Sequence, residues 1–371
     1  MKIIAVEAVP VSRVVRPDLA IVSAAGKHPE SHYVLVSIHS DEGQVGYGEA
    51  TVVPVWSGES QAGSQRMICE LLSPVLIGQN PLHVGMLAEA VDRTLVGNPF
   101  TKAAIEMALL DLSGKILGIP VHVLLGGPRR PPQISIKFSI GAFAPAEAVR
   151  VAKHAVANGI RAVKVKVGLD LVQDVARVEA VRVALGEEFR IAVDANGGWT
   201  ENEALRSIYH WERLGVNAIE QPLRRGEFHG CALLRERTTI PIMLDESIFT
   251  PQDAMEAVRQ HACDIISIYP GKNGGILRSL EIAQIAASAG LHCTIGSNLE
   301  MDLGTAAMLQ LALAVPALSA TVDHDIIGPL YYDDHIGENP IRFVKGCALV
   351  PEGTGLGLNI CTPTGASSRA G

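Results

Sequence analysis

Ala162-Val163-Lys164-Val165-Lys166-Val167 is the stretch on which the fold turns. Successive side chains of a β-strand alternate between faces, so the three valines share one face and Lys164 and Lys166 share the other. In a barrel the apolar face turns outward to a layer of helices and the interleaved residues point inward. That places two ammonium groups in an interior where an unpaired charge is costly. Taken alone, the strand reads as half-solvated, with its lysines in water; the neighbouring strands argue otherwise.

Further β-type runs lie near Ile134–Ile140, Arg190–Ala195, Ala218–Gln221, Pro241–Asp245, Ile265–Tyr269, His292–Ile295 and Ser319–Asp323, which with Ala162–Val167 makes eight. The intervening runs, such as Pro145–Asn158, Leu171–Leu185, Glu201–Leu214 and Ile276–Ala289, have helical length and spacing. Parallel neighbours need such crossovers, and eight βα-type units in succession predict a (β/α)-barrel.

The same parity turns Asp194, Glu220 and Asp245 inward, each at the C-terminal end of its strand. From Lys166 through Asp194, Glu220 and Asp245 to Lys272 the spacings are 28, 26, 25 and 27 residues, about one βα unit each. One such acid alone reads as a helix N-cap; three on consecutive strands would repel one another unless neutralised. An all-oxygen set selects a hard cation, Mg²⁺ or Mn²⁺, so Asp194, Glu220 and Asp245 are the expected metal ligands, with Glu246 the rival to Asp245. Lys164 is expected to lower the pKa of Lys166 toward neutrality, fitting it for acid and base work. Lys272, after the sixth strand, would stand opposite the lysine pair in a ring of eight.

Ahead of the barrel, Ile3–Val11, Tyr33–His39 and Gln44–Glu49 predict a small antiparallel meander. A helix over Thr101–Leu117 follows, with Ala104, Met107, Ala108, Leu112 and Ile116 on one face. Gly126 to Pro132 has the composition of a linker. The expected division is an α+β capping domain over 1–128, the barrel over 129–327 and a C-terminal segment over 328–371 packing back on the cap, its tail from Thr362 disordered.

A formal net charge of −8 with no Lys/Arg block argues against nucleic acid or an anionic membrane surface as partner. Six cysteines without C-x-x-C spacing read as reduced thiols in a cytoplasmic protein. The apolar stretch Leu303–Ala320 is interrupted by Gln310 and Pro316 and reads as a buried helix. A small-molecule carboxylate is the expected partner, and a homo-oligomer is compatible with the sequence.

Lys164-x-Lys166, Asp194-x-Asn196, Ile219-Glu220-Gln221-Pro222, Asp245-Glu246-Ser247 and Lys272-x-Gly274-Gly275, in this order, resemble the enolase superfamily, and within it the muconate-lactonizing (muconate cycloisomerase) subgroup of the mandelate racemase/muconate lactonizing enzyme family. The resemblance spans essentially the whole chain. It implies a modified (β/α)-barrel beneath an N-terminal α+β cap, Mg²⁺ on Asp194, Glu220 and Asp245, and Lys166 and Lys272 as the acid/base pair with Lys164 tuning Lys166. Substrate choice would fall to cap loops at Leu19–His32 and Val52–Glu59; Trp56, Asn196, Asn298, Glu300 and Asp325 are candidate substrate contacts, with Glu300 and Asp325 reading equally as loop anchors and Trp56 equally as packing between the domains.

The activity so implied is removal and return of a proton α to a carboxylate, first as a cycloisomerase of muconate-lactonizing type. The alternative is a racemase or epimerase of amino-acid derivatives: N-acyl amino acids, proline-type acids or dipeptides. Subgroup dipeptide epimerases carry an Asp-x-Asp pair close before Gly-Pro; here Asp325-Ile326-Ile327-Gly328-Pro329 keeps only one acid, as muconate-type members do. Asn298 stands where the subgroup commonly has an apolar residue, often Met. A non-catalytic barrel braced by metal is the alternative of another class.

Overall fold

The computed structural model describes residues 1–360, so Cys361 and the expected tail lie outside the described residues. In the cap, β1 (Ile3–Val14), β4 (Glu30–Ser40) and β5 (Val45–Val52) pair as an antiparallel meander, β4 in the middle. Between β1 and β4 the expected loop carries a hairpin of β2 (Ile21–Ser23) and β3 (Gly26–His28). Helix Pro99–Leu117 is buried on nearly every side rather than along one stripe. It lies between the cap sheet and the barrel, so both of its faces need apolar cover.

Contact with the cap sheet is at backbone distance. A Cβ on Gly46 would sit 2.1 Å from the Ala108 carbonyl oxygen, and one on Gly48 would sit 1.9 Å from that of Ala104. Neither helix nor sheet can shift without opening the core on its other side. Gly48→Ala should therefore cost about 3 kcal/mol, read as a lower urea midpoint with an unchanged slope; an unchanged midpoint would show the interface to be compliant.

The barrel sheet is a run of parallel neighbours in chain order: β7 (Phe138–Ile140), β8 (Ala162–Lys166), β9 (Arg190–Asp194), β10 (Ala218–Glu220), β11 (Ile242–Leu244), β12 (Ile265–Ile268) and β13 (His292–Ile295). The crossover helices Pro145–Ala157, Leu171–Leu185, Glu201–Arg213 and Ile276–Ser288 fall where their periodicity predicts. Reciprocal capping boxes at Thr200/Glu203 and Thr250/Asp253 begin two of the barrel helices. The helix expected in Leu303–Ala320 runs over Asp302–Ala314, buried throughout. No helix among the described residues is long and apolar enough to cross a membrane.

Two expectations are corrected. The run Ile134–Ile140 is not one strand: β6 (Gln133–Ser135) pairs with a terminal hairpin of β14 (Phe343–Val344) and β15 (Cys347–Leu349), and only β7 joins the barrel. Nor does Ser319–Asp323 form an eighth ladder strand. The barrel is closed by single bridges, Leu318 to Cys293 on one side and His324 to Ile136 on the other.

The C-terminal segment returns to the cap helix, where Leu356 N–H donates to Asp111 at 2.8 Å.

Candidate active site

A layer of Ala192, Ala218, Met243, Ile265 and Val322 fills the lower barrel. Two residues further along their strands, with the same parity, stand Asp194, Glu220 and Asp245. Asp194 and Glu220 are direct register partners; Asp245 follows β11. The inward orientation predicted from alternation is what the fold produces, with Val163, Val165 and Val167 in the outer core.

Lysines stand among these acids. Lys164, 5% exposed, donates to both Glu220 carboxylate oxygens at 3.1 Å and to Asp325 Oδ2 at 3.0 Å, and lies 3.3 Å from Asp194 Oδ2. Burial pulls its ammonium down, but Asp325, Glu220 and Asp194 more than offset that and hold it well above the usual lysine range. It keeps the positive charge that its expected effect on Lys166 requires. Lys166 donates to Asp194 Oδ2 at 2.6 Å and to Asn196 Oδ1 at 2.9 Å. Asn196, in the left-handed region at φ 44°, passes the link on to Glu246 Oε1 at 2.8 Å.

Lys272 is wholly buried. It donates to Asp245 Oδ1 at 2.6 Å and to the carbonyls of Asp245 and Ser267 at 2.7 and 2.9 Å. Its ammonium also lies 5.0 Å from the centre of the Tyr269 ring. Gln221 fixes the strand-end geometry between them, accepting the N–H groups of Asp245 and Ser247 and donating to Ser247 Oγ and the Leu223 carbonyl.

Above Lys164 and Lys166 is a cavity of about 300 Å³, roofed by both expected cap loops. Ala25 to His28 and Val52 to Trp56 close it from the cap; Ser139, Asn196, Ser297, Asn298, Asp325 and Ile327 line it from the barrel. Trp56 also packs edge-on against Tyr269, with ring centres 6.3 Å apart. Five of the expected residues are not in its wall: Asp194, Glu220 and Asp245 are bonded to the lysines instead, and Lys272 and Glu300 point elsewhere. Lys272 lines a separate cleft of about 320 Å³ with Arg225 and Phe249. Glu300 turns back to accept from Ser297 Oγ and the Asn298 N–H, bracing the loop that presents Asn298.

Lys137 was not anticipated. It is 1% exposed and reaches Asp325 Oδ2 at 2.7 Å. Ile136, Phe138 and Ile140 alternate around Lys137 and Ser139 as the valines do around Lys164 and Lys166, so the signal was present. Burial raises the Asp325 carboxyl, but Lys137 and Lys164 outweigh it and hold it at about 2. The cap's Glu49, pushed by burial up to about 8, bonds the Met301 and Gly304 N–H groups where helix Asp302–Ala314 begins.

Among the described residues no three acidic or histidine side chains converge around a metal-sized gap, because the lysines stand between them. The donor set nevertheless suits a hard divalent cation. Asp194, Glu220, Asp245 and Asp325, all buried, and the half-buried Glu246 give five acids against four ammonium groups, those of Lys137, Lys164, Lys166 and Lys272. Glu246 Oε2 is buried without a partner, and burial, then Asp245 and Asp194, push that carboxyl up to about 8. Oxygen donors outnumber the ammonium groups that pair with them, and a cation would relieve the burial and like-charge repulsion that raise Glu246.

Comparison with known proteins accords with this arrangement. The enolase C-terminal domain-like family matches residues 147–363, and the mandelate racemase / muconate lactonizing enzyme N-terminal domain matches residues 4–126. Muconate cycloisomerase 1 of Rhodococcus opacus is 34% identical over 332 residues, 88% of each chain. The crystal structure of 2-chloromuconate cycloisomerase from Rhodococcus opacus 1CP superposes with a TM-score of 0.93 at 34% identity, covering 97% of both chains. A dipeptide epimerase from Cytophaga hutchinsonii, complexed with Mg and D-Ala-L-Val, gives 0.92 at 28% identity, covering 98% of this chain and 97% of its own. These relatives are isomerases, and the chain belongs to the mandelate racemase/muconate lactonizing enzyme family of the enolase superfamily.

Proposed function

We propose that this chain moves a proton on the carbon α to a substrate carboxylate, acting as a cycloisomerase of the muconate-lactonizing type. The observation that carries the reading is the placement of Lys164 and Lys166 on the floor of a cap-roofed cavity, beside Asp194 and Glu220 at adjacent strand ends. Lys166 takes or returns the proton at its Nζ, oriented by Asp194 and Asn196. Lys164, kept charged by its acids, attracts the substrate carboxylate. Lys272, at the end of the sixth barrel strand, is bonded to Asp245 outside this cavity, and serving the opposite face requires the substrate to reach past Asp245.

Asp194, Glu220 and Asp245 would hold Mg²⁺, with Mn²⁺ an alternative of the same chemistry. Once bound, the cation would supply positive charge against the negative charge on the substrate carboxylate while the α-carbon lacks its proton. Cap residues 25–28 and 52–56 exclude water from the proton transfer. The five free cysteines of the described residues, three of them buried, suit a reducing, cytoplasmic location.

One observation admits racemisation or epimerisation of an N-acyl amino acid as the second reading. Asn298 lines the cavity, and its side-chain N–H₂ is buried with no acceptor. An amide carbonyl on the substrate would satisfy it, and so would a second carboxylate. Asn298→Ala should raise KM for the true substrate about tenfold, roughly 1.4 kcal/mol, with kcat little changed. An unchanged KM would remove Asn298 from recognition. The proposal as a whole is tested by solvent-deuterium incorporation at the α-carbon with Mg²⁺ present and then chelated. Exchange that survives chelation, or that never occurs with any acid, would count against it.

A further inference from the structure

We propose that Lys137 determines specificity: by neutralising Asp325 it closes the innermost carboxylate of the cavity to substrates carrying a free ammonium group. This rests on the reading of the cavity as the seat of a carboxylate substrate. The segment that closes the barrel has no ladder of its own, so side chains must fix it. Lys137 makes three of the bonds that do. Its N–H donates to the His324 carbonyl at 2.9 Å, and its Nζ donates to the Asp323 carbonyl at 2.8 Å and to Asp325 Oδ2 at 2.7 Å. The Asp323 side chain is taken by Arg190 on the other side. Lys137 itself does not line the cavity; Asp325 does.

Among the described residues the cavity wall holds two carboxylates, Glu30 on the exposed rim and Asp325 on the floor. A substrate ammonium buried at the floor needs an acid whose charge is not already matched. Asp325 offers none. Its Oδ2 carries both Lys137 and Lys164, and its Oδ1 accepts only the Ser139 hydroxyl, at 3.3 Å. Lys164 is divided among Asp194, Glu220 and Asp325, so Lys137 is the cation that belongs to Asp325 alone. Without it, unmatched negative charge would face the cavity.

The test compares two probes that differ only in the amine, L-Ala-L-Leu and N-acetyl-L-Ala-L-Leu. Their dissociation constants would be measured by calorimetry with Mg²⁺ for the wild-type chain and for Lys137→Met, which keeps the length and apolar stem of the side chain. The expected result is a shift in the ratio of the two constants toward the free dipeptide by about tenfold or more. Lys137→Arg should keep the wild-type ratio, and Lys137→Met combined with Asp325→Asn should lose the shift. Should Lys137→Met fail to fold, Lys137→Gln, uncharged but still a donor to the Asp323 carbonyl, carries the same expectation. An unchanged ratio, a shift that survives in the double variant, or no binding of either peptide by any of these proteins would overturn the proposal. Binding is read without turnover, so a wild-type chain that exchanges no α-proton would contradict the proposed function and leave this result standing by itself.

Discussion

Lys166→Ala abolishes incorporation of solvent deuterium at the α-carbon while leaving the fold and the affinity for a divalent cation in place. The expected loss is about 10²–10⁴-fold, the scale of a positioned general acid or base. The reason lies in how Lys166 is held. Its ammonium bonds Asp194 and Asn196 and lines the cavity floor, but it bridges no structural elements other than β8 and the β9 end. Truncation leaves Asp194 still near Lys164 at 3.3 Å, so no acid is stranded. A non-catalytic barrel makes the opposite prediction, a change in stability alone. Circular dichroism and cation titration alongside the exchange assay separate the two: unaltered exchange in a folded, cation-binding variant would remove Lys166 from the chemistry.

Lys164→Met has a different expected signature. It removes the ammonium shared by Asp194, Glu220 and Asp325, and stripping one partner from a buried ion cluster costs about 3–5 kcal/mol. The sign against pH is definite. Folding raises Lys164 above its ordinary 10.5, so its contribution is fully present below that pH and is lost only as pH climbs through the raised value. A melt at neutral pH therefore registers all of it. The same change leaves the acids more negative, so added Mg²⁺ should restore more stability to the variant than it adds to the wild-type chain. Equal melting temperatures without cation, or equal gains with it, would show that Lys164 is not the charge that holds these acids together.

Much of this was legible in the chain. The alternation in residues 162–167 located the inward face, and one acid per βα unit located Asp194, Glu220 and Asp245, because parity and unit length are local properties. Helices with caps in their own sequence, such as Glu201–Arg213 behind Thr200, fell close to their predicted bounds. What escaped depends on pairing between distant segments. Ser135 leaves the first barrel strand because Cys347 arrives from the C-terminus to pair with it. The eighth segment is bent and unladdered, held by single bridges and Lys137. Glu300 reads from the chain equally as a substrate contact or a loop anchor, and only the folded turn at Ser297 and Asn298, which its carboxylate braces, decides for the anchor. The burial of Lys272 on Asp245 likewise depends on the helical turn Pro270–Asn273, which no periodicity announces.

The most direct test of the central claim is proton NMR of the wild-type chain in D₂O with Mg²⁺, across muconate, N-acyl amino acid, dipeptide and proline-type carboxylates. The account predicts deuterium at the α-carbon in one of these classes, added in the lactone formed from muconate or replacing the α-proton of an amino-acid derivative, halted by a chelator and restored by Mg²⁺. Absence of deuterium from every α-carbon with the cation bound would contradict it.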